Sequence, residues 1–300
     1  MADRMWAETY RLGSRLARTL PGPMAERIPD LVGSMLASSM PAKRRMMERH
    51  LRRVLGPGAS ERTIRRTSRK AFESYARYWL ESFRLPDKTP DDLRRGIDVP
   101  NYHHVEKGLD AGKGVILALP HLGGWEWAGF WMAAANKVPI TVVVEAIEPP
   151  ELFEWFTSFR ESLGMHVVPL GPDAGTEIIT ALKRNEVVCL LSDRDIGGGG
   201  IEVDFFGETT TLPGGPALLG LRTGAPVLPT GVYFSGQGRH LGVVQPPLDT
   251  SRHGKLRADV SRVSQELADA LEGLIRRAPE QWHLFQPNWP SDHKWLARQN

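Results

Sequence analysis

The segment Val115-Ile-Leu-Ala-Leu-Pro-His121-Leu-Gly-Gly-Trp-Glu126 sets an imidazole and a carboxyl group across two glycines, just past an apolar run. Histidine titrates near pH ~6.5, so its neutral ring can take a proton from a hydroxyl under cellular conditions. A turn through Gly123 and Gly124 can return the Glu126 carboxylate to one ring nitrogen, fixing the tautomer and stabilising the imidazolium. His121 is therefore a candidate general base and Glu126 its orienter. The pair also has a plainer use, as a turn-capping histidine and an acid favouring a helix N-terminus. Glu145 follows Val142–Val144, and Asp193-Arg194 follows Leu190-Leu191. Acids at strand ends can hydrogen-bond sugar hydroxyls or cap turns. Arg194 can also pair with Asp195 or Glu202.

Other chemistries find less support. The single cysteine, Cys189, excludes an internal disulfide framework and a Cys-based zinc cluster. It lies in Val187–Leu191, which reads as a buried strand, so an inert thiol is expected. There is no Gly-x-Ser-x-Gly elbow. Gly197–Gly200 has no following Gly-Lys-Ser/Thr and reads as a flexible loop, not a phosphate cradle. His103-His104 are adjacent, and His240, His253, His283 and His293 show no ligand spacing, so no metal is expected. Trp282 and His283 read as packing residues.

These groups need a scaffold, and strands alternating with helices supply one. Gly114–Leu119, Val138–Val144, His166–Pro169 and Val187–Ser192 read as strands. Trp125–Ala135, Glu151–Leu163 and Ala174–Arg184 read as the helices between them. A short helix at Gly215–Thr223, strands at Pro226–Phe234 and His240–Val244, and a long helix at Leu256–Arg277 follow. The expected class is α/β, with a mainly parallel central sheet flanked by helices. Pro86–Pro100 reads as loop. In open sheets of this kind ligands bind at the carboxyl ends of strands, where His121 falls.

The chain is 41% hydrophobic and 24% charged, a globular composition. Residues 1–56 carry 11 Lys and Arg against 5 Asp and Glu, and the rest 27 against 30. That basic segment reads as helices broken at Pro21, Pro23, Pro29 and Pro41. Met5, Trp6, Tyr10, Leu12, Leu16 and Leu20 lie at helical spacing within it. Such a segment can lie in an anionic headgroup layer or pack on the main domain. The expected division is 1–56, basic amphipathic helices, and 57–300, the α/β domain. No helix-turn-helix, zinc-finger or RNA-binding signature accompanies the charge, so nucleic acid is not an expected partner. No run approaches the ~18 apolar residues of a membrane span. The start lacks a signal-peptide pattern, which makes a reducing compartment the default.

His121-x4-Glu126 after Ala-Leu-Pro resembles the bacterial lipid acyltransferases of the HtrB/LpxL type. Phe159-Arg-Glu-Ser-Leu-Gly164, Ser192-Asp-Arg-Asp195, Val203-Asp-Phe-Phe-Gly-Glu208, Gly224–Pro229 and Pro279-Glu-Gln-Trp-His283 follow in the same order. Tyr75-Ala-Arg-Tyr-Trp79 and Glu81–Pro86 are similar to the actinobacterial phosphatidylinositol mannoside acyltransferases within that group. The chain departs from them at Gly124, where they usually carry Asn, and at Glu126, where they usually carry Asp.

The resemblance implies an O-acyltransferase that moves a palmitoyl-like chain from acyl-CoA to a mannose hydroxyl of a glycolipid. The inert Cys189 and the missing Gly-x-Ser-x-Gly elbow favour direct transfer, and no cofactor beyond the donor is expected. The resemblance also implies a peripheral protein on the cytoplasmic face of the inner membrane, held at its anionic surface. Arg160 resembles the arginine beside the family's active site, and with Glu145, Asp193 and Arg194 it is expected to bind substrate. Trp125, Trp127, Phe130, Trp131 and Phe205 are candidates for an acyl slot. Another glycolipid or a lysophospholipid is the alternative acceptor. A non-catalytic lipid-binding protein is the alternative of a different class.

Overall fold

A computed structural model describes residues 13, 16–20, 22–145, 150–162, 164–236 and 238–298. Met5, Trp6, Tyr10, Leu12 and Pro21 lie outside the described residues. The helices are α1 Gly22–Ser39, α2 Pro41–Leu55, α3 Glu61–Arg84, α4 Pro90–Arg95, α5 His103–Asp110 and α6 Trp125–Phe130, with a wider π-type turn over Trp131–Ala135. They continue with α7 Pro150–Ser162, α8 Ala174–Lys183, α9 Gly215–Thr223, α10 Leu256–Arg277 and α11 Pro290–Ala297. The strands are β1 Ile97–Asp98, β2 Val115–Leu119, β3 Ile140–Val144, β4 Met165–Pro169, β5 Val187–Leu191, β6 Ile201–Phe205, β7 Glu208–Leu212, β8 Val227–Phe234 and β9 His240–Val244.

Seven strands form one sheet in the order β1-β9-β8-β2-β5-β3-β4. All its pairs are parallel except β8 with β9. The expected mainly parallel sheet is therefore the one that forms. Strand β2 is wholly buried at its centre. Ile116 and Ala118 join one core with Leu271 and Ile275 of α10. Leu117 and Leu119 point the other way, into a core with Trp127, Phe130 and Met132. This alternation puts an apolar layer on each face, as a doubly covered parallel sheet requires.

Two expectations for local structure change, and one element is added. Pro29 does not break α1, which runs through it. The lost N–H costs one bond, and packing of α1 along α3 holds the helix together. Residues 86–100 are not simply loop, because Thr89 and Asp92 form a capping box with Pro90 at the first helical position and start α4. Residues 201–212 form a hairpin, β6 with β7. Its two turn residues, Phe206 and Gly207, both have positive φ, at 54° and 74°.

The basic helix α2 turns part of its charge inward. Arg53 bonds Asp292 and Glu208 at 2.8 Å each, and Arg49 bonds Asp292 at 3.1 Å. Val54 packs in the main core, while Met47 and Leu51 pack with Ile64 and Phe72 of α3. On the outer side of α1, Leu31 and Met35 are 65% and 63% exposed, with Val32 beside them. No described helix is long and apolar enough to cross a membrane.

Candidate active site

Strands β2 and β5 pair in parallel with Leu119 opposite Leu191. Residues 121 and 193 therefore leave the same sheet edge side by side. The 121–123 turn is held by the C-terminal segment: Gly123 N–H donates to Gln281 O (2.9 Å) and His283 N–H to His121 O (2.7 Å). Both glycines are required by space. Gly123 has φ +59°, and a Cβ there would meet Val232 O at 2.2 Å. A Cβ on Gly124 would meet the His240 ring at 2.5 Å, a local reason for the departure from Asn at this position.

The carboxylate on His121 is that of Asp193, not Glu126. Asp193 Oδ1 lies 2.7 Å from His121 Nδ1, and Oδ2 accepts the His121 backbone N–H at 3.0 Å and Trp282 Nε1–H at 2.7 Å. Burial opposes ionisation of Asp193, but the facing imidazole and these donors outweigh it and hold the carboxyl below its ordinary range. An ionised carboxylate only accepts, so Nδ1 carries a proton, and in the neutral ring the lone pair is on Nε2. The ring is 23% exposed.

Glu126 faces another way because the first turn of α6 aims it at α7 and α3. It accepts from Arg160 through Nη2 and, at 3.3 Å, through Nε. The Tyr78 hydroxyl also donates to it at 3.3 Å. Burial lowers the Arg160 pKa, yet the Glu126 charge more than compensates, and the net direction is upward. Burial, then the same carboxylate, pushes Tyr78 well above the usual phenol range. Glu145 and Arg194 pair with each other at 2.8 Å. Arg194 thus takes Glu145 as its partner, while Asp195 accepts from Gly200 N–H and Thr211.

All six of His121, Glu126, Glu145, Arg160, Arg194 and Trp125 line one cavity of about 1010 Å³. Asp193 sits behind His121, fully buried. Leu117, Val142, Met132, Met165 and Cys189 line its apolar part. Burial pushes the Cys189 thiol up to about 12, so it stays protonated and is a poor nucleophile. Of the aromatics proposed for an acyl slot, Trp125 and Trp131 line this cavity. Trp127 instead stacks on His240 and donates to Leu93 O, and Phe130 packs on Phe159. Phe205 lies on the opposite sheet face, stacked on Trp289. Helical periodicity explains the split on α6, since residues 125 and 128 share a face that 127 does not. Tyr78 and the Trp282 N–H went unread as site residues. Only the Trp282-His283 block near the C-terminus hinted at the second.

A sheet-edge histidine, keyed by a buried carboxylate and lining a mainly apolar cavity, is the architecture of an α/β enzyme site for an apolar ligand. The family follows from comparison: residues 4–291 match the bacterial lipid A biosynthesis acyltransferase family, and the chain belongs to it. It is thus an acyltransferase. A phosphatidylinositol mannoside acyltransferase of Mycolicibacterium smegmatis is 38% identical over 286 residues, 94% of this chain and 91% of the relative. One of the same name from Mycobacterium tuberculosis is 40% identical over 253 residues, 82% of this chain and 77% of the relative.

Proposed function

We propose that this enzyme transfers a long acyl chain from acyl-CoA to a mannose hydroxyl of phosphatidylinositol mannoside, without a covalent acyl-enzyme. His121 Nε2 takes the hydroxyl proton as oxygen attacks the thioester carbonyl, and then passes it to the departing thiolate. Asp193 keeps the ring in the productive tautomer and stabilises the imidazolium, the role first assigned to Glu126. Glu126 instead positions Arg160, which with Glu145 and Arg194 binds the polar part of the substrates. The apolar cavity takes the acyl chain and excludes water. The observation that carries this reading is the His121–Asp193 pair, with His121 lining that cavity, in a chain so similar to the named relatives.

The test is transfer of radiolabelled palmitate from palmitoyl-CoA to purified mannosides by wild type and His121→Ala. Labelled acyl-mannoside from wild type alone is expected. Labelling only of another glycolipid or a lysophospholipid would replace the acceptor. Binding of lipid with no transfer to any acceptor would leave a lipid-binding protein.

The enzyme works at the cytoplasmic face of the inner membrane, resting on it through Leu31, Val32 and Met35 of α1, with exposed Lys43 and Arg45 near the anionic headgroups. Residues 1–56 form the membrane-associating part and 57–300 the catalytic part. Because α2 is built into the core, substitution tests this better than truncation. Leu31→Asp with Met35→Asp is expected to abolish sedimentation with anionic vesicles, and undiminished sedimentation would put the contact elsewhere.

A further inference from the structure

His283 is 5% exposed, yet its Nδ1 is buried with no hydrogen-bond partner among the described residues. Its ring helps wall the cavity that holds His121. The reason is topological. Leu122 and Trp282 form an antiparallel bridge, so residues 281–283 run beside the His121 turn. The ring is fixed by neighbours on three sides: Tyr75 at 5.4 Å, Tyr78 at 5.7 Å and Trp125 at 5.6 Å between centroids. Trp125 in turn stands edge-on to His121 at 5.7 Å.

The other ring nitrogen decides what Nδ1 is. His283 Nε2 lies 2.8 Å from Ser74 Oγ. If the hydroxyl donates, its proton has an acceptor and the ring proton resides on Nδ1. The reverse arrangement strands the Ser74 proton and leaves Nδ1 as a bare lone pair. The first arrangement satisfies more groups. Burial, then the neighbouring His121, depresses the ring to about 3, against a smaller opposing effect of Asp193. The ring therefore stays neutral while His121 gains and loses its proton.

We propose that His283 is the oxyanion donor of the acyl transfer, its Nδ1–H held ready by Ser74 to hydrogen-bond the thioester carbonyl oxygen. This rests on the acyl-transfer reading above. The hydroxyl oxygen bonds the carbonyl carbon, and its proton goes to His121 Nε2. The carbonyl π pair moves onto oxygen, where the His283 N–H meets the new charge. Collapse restores C=O and breaks C–S, and the thiolate takes the proton from His121. His283 surrenders no proton at any point. A neutral imidazole suits this work, because it donates without protonating the intermediate.

Two measurements test it. In the intact enzyme, ¹⁵N shifts of His283 are expected to show protonated Nδ1 and unprotonated Nε2, and the opposite tautomer overturns the proposal. In kinetics, His283→Ala is expected to lower kcat about 10²- to 10³-fold with KM for palmitoyl-CoA nearly unchanged. His283→Asn, which carries an N–H near the Nδ1 position, is expected to recover at least tenfold. Equal rates for the Ala and Asn variants, or a loss confined to KM, overturns it. Hydrolysis of palmitoyl-CoA in the absence of acceptor passes through the same oxyanion and reports independently of the glycolipid. Wild type that hydrolyses the thioester but acylates no mannoside would overturn the acceptor assignment, and the variants are then compared on hydrolysis. Wild type that does neither overturns acyl transfer, and the oxyanion role with it.

Discussion

Two histidines sit beside buried aspartates in this protein, and they serve different ends. His121 meets Asp193 at the sheet edge, and His50 of α2 meets Asp292 of α11 at 3.6 Å. His50 has both ring nitrogens occupied: Nε2–H donates to Gln286 O at 2.8 Å, and Nδ1 faces Arg53 at 3.4 Å. Asp292 is saturated by Arg49, Arg53 and the backbone N–H groups of Asn288 and Trp289. Burial depresses His50 to about 4, and the opposing charge of Asp292 offsets only part of that. Asp193 has no arginine among the described residues and keys His121 directly, while His121 Nε2 has no protein partner among them. A shared pair of residue types is thus a fastener in one place and a candidate base in the other. The deciding factors are what else the carboxylate touches and whether one ring nitrogen is left for a substrate.

The contrast can be broken by substitution. On the proposed mechanism, His121→Ala should lower kcat about 10³-fold with little change in melting temperature. An equal loss from His50→Ala in fully folded enzyme would erase the distinction. Asp193→Asn should cost about 10²-fold or more in kcat, because a carboxamide that donates to Nδ1 drives the proton onto Nε2. Retained activity would show that the ring needs no such key. Asp292→Ala should reverse the pattern, lowering stability by about 3 kcal/mol or more while leaving the turnover of folded enzyme intact. Chemical denaturation and initial rates on the same samples separate the two.

The fastener also predicts a pH response. A histidine whose pKa is lower folded than unfolded takes up protons on unfolding, so stability rises with pH. The His50 contribution is complete above about pH 6.5 and is lost as pH falls towards its folded pKa of about 4. By pH 5 that loss is about 2 kcal/mol. His50→Gln keeps a donor for Gln286 O without titrating and should flatten this part of the stability curve. His283 adds a similar slope, which His50→Gln should leave in place. The smallest effect is expected at Glu126. Glu126→Gln weakens the hold on Arg160 and should lower kcat/KM about tenfold, the worth of a charge-assisted bond. A loss as large as that of Asp193→Asn would return Glu126 to the centre of the chemistry.

The strands of the main sheet were legible because β2 and β5 are short apolar runs bounded by turn signals, as buried parallel strands must be. The hairpin β6–β7 was less so. Its alternation, with Val203 and Phe205 buried between exposed Glu202 and Asp204, is visible in the sequence. Its turn, however, uses Phe206 at positive φ where Asn or Gly would announce it. Within the site, His121 and its glycine turn could be read locally. The aromatics after it could only be named as a group, since which of them face a cavity depends on the packing of α6 against the sheet.

What the amino-acid order determined by itself was local: an apolar strand, a sharp turn, a histidine at its edge and an acid in the next helical turn. The choice between two acids for that histidine was tertiary. Glu126 is five residues away and Asp193 seventy-two, but chain distance does not measure approach. The parallel register of β2 and β5 carries Asp193 onto the ring, while the first turn of α6 directs Glu126 to Arg160. The same holds for His283, which the bridge between Leu122 and Trp282 brings beside the turn from the far end of the chain. Neighbour spacing reports which groups a segment offers, and only the pairing of distant strands and segments decides which of them meet.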